Sequence, residues 1–92
     1  MRQKEYRSEV FTTKSEFEAR TRRPLASFRF KGYEMGVPCP VCGSKQTRTL
    51  AEPGGTGVFP VIRGRCEECR AVWLSRAGRE VMSLDIFIKG AK

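Results

Sequence analysis

Apolar positions are sparse over the first 24 residues, where charged and polar side chains dominate. Ser15-Glu16-Phe17-Glu18 fits a capping box, with Ser15 capping a helix and Glu18 reaching back to it. The pattern predicts a short helix over about Glu16–Arg23, docked through Phe17 and ended by Pro24. Phe28-Arg29-Phe30-Lys31 alternates, which predicts a strand over 25–31 with both rings on one face. Residues 32–38 read as a connector. A strand over 45–51 follows, then a turn at Pro53-Gly54-Gly55-Thr56-Gly57 and a return strand over Val58–Arg65. Pro60 marks that return strand as an edge or a bulge. Ala71–Ser75 predicts a third strand, and Arg76–Glu80 a turn or a helix start. In the last segment, Met82, Leu84, Ile86 and Ile88 alternate as a strand would. Val81, Leu84 and Ile88 equally suit one face of a short helix, and periodicity leaves both open.

With 92 residues the chain is expected to form one domain. At this size a hydrophobic core alone is marginal, and small domains use a disulfide, a metal or a partner. Four cysteines in two pairs supply the staple. No run of 18 apolar residues offers a transmembrane helix, and MRQKEYRSEVF lacks the apolar stretch of a secretory signal. The expected compartment is therefore a reducing one, the cytoplasm or, in a eukaryote, the nucleus. There, paired cysteines signal metal rather than disulfides.

Cys39 and Cys42 form one C-x2-C pair, Cys66 and Cys69 a second, with 23 residues between the pairs. Zinc favours a closed tetrahedron of four ligands in structural sites, and a two-residue gap lets one tight turn present two sulfurs. One structural Zn2+ on Cys39, Cys42, Cys66 and Cys69 is the expectation. Gly43, just after the second ligand, suits the positive φ such knuckles need, whereas Arg70 stands at the matching place in the second knuckle. Trp73 is expected to cover the metal site. A thioredoxin-like dithiol is the rival reading of Cys-Pro-Val-Cys, but it calls for a βαβ scaffold and has no use for a second matched pair. The chain contains no histidine. Four thiolates fill the zinc shell, and the commonest general base is missing, so neither catalysis nor a small-molecule substrate is expected.

The fold class that follows is small α+β, mainly β. A three-stranded antiparallel zinc ribbon with two cysteine knuckles spans 38–75. A helix-and-strand extension over 1–37 precedes it, and a strand or helix over 76–92 follows.

Charge adds a partner class. The net charge is +8, and the zinc-thiolate site, at −2, brings the loaded protein to about +6. Residues 1–38 and 39–92 each carry nine Lys/Arg and five acidic side chains, so neither is a polybasic tail. Lys45, Arg48, Arg63, Arg65 and Arg70 lie on or beside the ribbon. They read either as a phosphate-contacting face or as a solvated strand surface with counter-charges for the thiolates. Arg20, Arg22 and Arg23 form a second basic cluster, explained equally by the dipole of a helix C-terminus. Of the aromatic rings most are expected in the core, and Phe59, beside the turn, is the one expected at the surface.

Cys39-Pro40-Val41-Cys42-Gly43-Ser44-Lys45, with Thr47-Arg48-Thr49 after it, is similar to the opening of the Ogr/Delta family. These are small phage zinc-binding activators of late transcription that contact DNA and host RNA polymerase. The same opening resembles phage restriction-alleviation proteins of the Lar type. The second pair here is more closely spaced than in Ogr/Delta proteins, and 38 residues precede the ribbon. The resemblance implies a phage-encoded regulator in the bacterial cytoplasm. Together, these features lead to a zinc-ribbon regulator of transcription that binds DNA or RNA. The alternative is a non-enzymatic module that docks on RNA polymerase or another host machine. Neither involves a membrane.

Overall fold

The computed structural model of the protein describes residues 5–29, 32–54 and 59–88. The elements are β1 (Glu5–Phe11), α1 (Lys14–Thr21), a 3-10 turn over Leu25–Arg29, β2 (Gly32–Met35), β3 (Thr47–Glu52), β4 (Val61–Cys66), β5 (Ala71–Ala77) and β6 (Met82–Ile88). All strands join one antiparallel sheet in the order β1-β6-β5-β4-β3-β2. The mainly-β class is as expected, but a three-stranded ribbon is too small a description. The ribbon strands β3, β4 and β5 form the centre, β2 extends one side, and β6 and β1 extend the other.

The sheet has one covered face and one open face, set by alternation along each strand. A covered row runs through the Cα partners Arg7, Ile86, Trp73, Gly64, Thr49 and Glu34, from β1 across to β2. Gly64 is there because of Trp73: a Cβ at Gly64 would lie only 2.2 Å from the indole ring. The core under this face has two parts. At the knuckle end, Cys39, Cys66, Ala71, Trp73, Leu84 and Ile86 pack together. At the other end, Phe17, Phe28, Ile62, Ala77 and Met82 pack under α1 and the 3-10 turn, and Phe11 touches both clusters. The Phe17 ring meets Phe11 at 5.7 Å and Phe28 at 5.2 Å, tilted geometries that aromatic pairs prefer.

Several expected elements are revised. The helix lies two residues earlier than read, because Thr13 and not Ser15 is its N-cap residue. Glu18 does not reach back to Ser15; its carboxylate accepts the Leu25 amide at 2.7 Å, beyond the helix end. Arg22 closes the helix in the left-handed region, at φ 63°. In place of a strand over 25–31, Leu25–Arg29 turns as a 3-10 helix, which buries Phe28. Phe30, Lys31 and the turn residues 55–58 lie outside the described residues. The supposed connector contains β2, bounded by Gly32 and Gly36, both at φ 86°. The last segment is a strand, paired with β5 on one side and β1 on the other. Phe59 is half-buried against the second cluster with the Arg29 guanidinium 4.9 Å from its ring centre.

β1 was not anticipated, because its inward positions are Arg7, Glu9 and Phe11 while Tyr6 and Val10 face out. The inward charge is neutralised locally. Arg20 of α1 donates to both oxygens of Glu9, at 2.7 and 3.1 Å, and also to the Pro40 carbonyl of the first knuckle. One guanidinium thus ties together β1, α1 and the knuckle. No helix among the described residues is long and apolar enough to cross a membrane.

Candidate functional site

The knuckles occupy the β2–β3 and β4–β5 connections, at the same end of the sheet. They bring all four cysteine sulfurs within 4.8 Å of one another. Cys39 and Cys69 sulfurs are 3.6 Å apart, as are those of Cys42 and Cys66. A tetrahedron with metal–sulfur bonds of ~2.3 Å has edges of about 3.8 Å. The four residues can therefore hold one metal ion between them. All four cysteines are free thiols in this arrangement.

The knuckles repeat each other's local geometry. The Val41 amide donates to the Cys39 sulfur at 3.3 Å, and the Glu68 amide to the Cys66 sulfur at 3.4 Å. After the second cysteine of each pair the backbone turns left-handed, at Gly43 (φ 78°) and at Arg70 (φ 68°). The Gly43 amide closes its turn on the Cys39 carbonyl at 2.9 Å. Such amide–sulfur bonds hold the ligands in position and offset thiolate charge.

The thiols cannot all ionise alone. Burial pushes Cys39 above its ordinary value, and the amides of Cys42 and Val41 only partly oppose it. Cys69 is pushed up to about 12, by burial first and then by the sulfurs of Cys39, Cys42 and Cys66. At Cys66 burial pushes up too, but the amides of Cys69 and Glu68, together with the Cys42 and Cys69 sulfurs, outweigh it and the value falls below normal. Four crowded sulfurs, two of them reluctant to ionise, form the donor set that a soft divalent cation satisfies. Cys39 and Cys66 are buried, whereas Cys42 is exposed and Cys69 half-buried. Trp73 belongs to the same cluster as Cys39 and Cys66, as the sequence led us to expect.

The predicted basic residues divide by face. Arg48, Arg63 and Arg65 stand on the open face of β3 and β4, with side chains 61%, 57% and 64% exposed. Arg48 and Arg65 are direct Cα partners. Lys45 is exposed in the loop leading into β3. Arg20, Arg22 and Arg23 lie elsewhere. Arg20 is engaged as described above. Arg22 packs against Gly43, and Arg23, nearly buried, bonds Ser27 and Glu34 and lies over the Phe28 ring. The structure does not bring the two basic groups together on one surface.

Sequence reasoning missed what surrounds the three arginines. One open row runs Tyr6, Phe87, Val72, Arg65, Arg48 and Met35 through successive Cα partners from β1 to β2. The next contains Asp85, Leu74, Arg63, Leu50 and Tyr33. Tyr33, Met35 and Tyr6 are 74%, 70% and 64% exposed, so this face mixes exposed rings with guanidinium groups. The signal in the sequence was the alternation at 5–11 and 82–88, which becomes informative only once 82–88 is known to pair with β5 and 5–11 with 82–88.

No family model, no curated protein and no solved structure matches the chain. The likeness to the Ogr/Delta opening consequently stands on residues 39–49 alone.

Proposed function

We propose that the chain is a non-enzymatic nucleic-acid-binding protein, stapled by one structural zinc ion on Cys39, Cys42, Cys66 and Cys69. Its contact surface is the open face of the six-stranded sheet. The observation that carries this reading is the grouping of Arg48, Arg63 and Arg65 on adjacent strands. Like charges placed directly opposite across a sheet weaken it, so Arg48 opposite Arg65 calls for a counter-charge, which Glu67 supplies in the free protein. An anionic ligand would supply it in a complex. The acidic partners of these arginines, Glu67 and Glu52, sit in exposed ion pairs of 3.4 to 3.9 Å. Exposed pairs of that kind stabilise by only ~0–1 kcal/mol, so a phosphate can displace them. Arg63 and Arg65 bind phosphate in this reading, with Arg48 beside them and Lys45 at the rim. A role in regulating transcription is the further step that the first knuckle's resemblance adds.

Fluorescence anisotropy with labelled DNA and RNA over a range of salt tests the reading. Binding should weaken steeply as salt rises, because each neutralised phosphate releases counterions. Absent binding, or binding indifferent to salt, contradicts it.

One observation favours docking on a protein instead, such as RNA polymerase. The outer strands β1 and β2 carry Tyr6, Val10, Tyr33 and Met35, all more than 60% exposed. A partner strand added to either edge would cover them. Under that reading a protein partner stays bound after nuclease treatment and moderate salt.

A further inference from the structure

The major groove of B-form DNA, ~12 Å wide, admits a helix or a two-stranded ribbon. The open face here is six strands across, ~24 Å at ~4.8 Å per strand spacing. It is too wide to enter the major groove of an undeformed duplex. The α-helix lies against the opposite face, packed on β1 and β6, with Arg20 held by Glu9 and Pro40.

The rings on this face suit a different ligand. Bases of a single strand present free π-faces for aromatic side chains to stack on, whereas duplex bases are already stacked on each other. Tyr33 lies on β2 and Phe87 on β6, four strand spacings or ~19 Å apart. Two adjoining depressions connect them. One, of about 390 Å³, lies between Tyr33, Arg48, Arg63 and Arg65. The other, of about 520 Å³, is lined by Arg65, Cys66, Glu67, Arg70, Val72 and Phe87. Both share Arg65 and Val72, so the two depressions adjoin.

Arg70 stands where the second knuckle turns left-handed, a position that glycine fills more easily. It adopts φ 68° where the first knuckle uses glycine at φ 78°. An L-residue is strained in that region and glycine is not. The strained residue is also the one that puts a second guanidinium beside Arg65 in the larger of these two depressions. Strain kept at a lining position is a mark of function.

Building on the nucleic-acid reading, we infer that the open face takes single-stranded rather than duplex nucleic acid. One nucleotide sits between Arg65, Arg70, Val72 and Phe87, and a second base stacks on Tyr33. Glu67, between Arg48 and Arg65, is a carboxylate the phosphate must displace from its ion pairs.

The test uses the zinc-loaded full chain and three labelled 12-mers of one sequence: single-stranded DNA, single-stranded RNA and the DNA duplex. Anisotropy at fixed salt should show one or both single strands bound at least tenfold tighter than the duplex, and which of the two is tighter identifies the natural source. Tyr33→Ala should weaken single-strand binding about tenfold, while Tyr33→Phe keeps it, because stacking needs the ring and not the hydroxyl. Arg70→Gly should raise the thermal midpoint, by relieving strain, and at the same time weaken single-strand binding. That opposite movement separates a ligand contact from a structural role. Equal or tighter duplex binding overturns the single-strand inference and leaves the nucleic-acid reading standing. Unchanged affinity in both Tyr33→Ala and Arg70→Gly overturns the placement. No binding to any of the three removes the nucleic-acid reading itself.

Discussion

Arg48 and Arg65 are Cα partners across β3 and β4, and both guanidinium groups reach the same carboxylate oxygen of Glu67, at 3.9 and 3.5 Å. Glu67 thus relieves a like-charge pair in the free protein and competes with any anion that approaches it. Glu67→Gln should tighten nucleic-acid binding by roughly twofold to fivefold, with a stability loss under about 1 kcal/mol, since the pairs are exposed. Parallel anisotropy and denaturation measurements check both. Weaker binding in the variant would mean that Glu67 positions the arginines more than it masks them.

Arg20 offers the contrasting case of an arginine that works inside the fold. It joins Glu9 and the Pro40 carbonyl, and the Arg20 and Glu9 side chains are only 25% and 28% exposed. Arg20→Ala leaves Glu9 facing the covered side without its partner. It should lower stability by about 2 kcal/mol and leave the salt dependence of nucleic-acid binding as in the wild type. Urea denaturation and a salt titration of the same variant separate the two effects.

Gly64→Ala tests the packing of the metal-side cluster. The added methyl would lie only 2.2 Å from the Trp73 ring, so the indole or β4 must move. Overpacking of this kind costs about 1–3 kcal/mol. The denaturation midpoint should drop accordingly, with a change in Trp73 fluorescence because this is the chain's one tryptophan.

The metal-free chain should release protons when zinc is added at neutral pH. Without metal, Cys69 is pushed up to about 12 and Cys39 is also raised, so both are thiols at pH 7. Zinc binds thiolates, so the loaded state holds fewer protons and gains as pH rises. Apparent zinc affinity should therefore fall steadily on acidification. A competition titration with a chromogenic chelator at several pH values checks the sign, and mass spectrometry under native conditions gives the stoichiometry of one ion.

How far the sequence led can be traced through individual residues. The cysteine quartet was legible because C-x2-C encodes its geometry locally, within one turn. The strained Arg70 was legible for the same reason, by comparison with Gly43. β1 was hidden because its covered positions include Arg7 and Glu9, and the pattern makes sense only with Arg20 placed against Glu9. β2 was hidden between two glycines that read as loop, with Glu34 its only half-buried residue. The helix start was misread because Glu18 is used on the Leu25 amide. The open face was beyond reach from sequence because it joins Tyr6, Phe87 and Arg65, residues far apart in the chain that meet only through the register of four strands.

The most direct test of the account compares the wild type with the triple variant Arg48→Ala, Arg63→Ala, Arg65→Ala. All three side chains are more than half exposed, so the fold should survive, which circular dichroism can check. The measurement is the slope of log affinity for a single strand against log salt. If the open face holds the phosphates, the slope should become shallower by about 2, at ~0.7 per contact removed. The same slope and affinity in the triple variant would contradict the account and move the binding surface off the sheet.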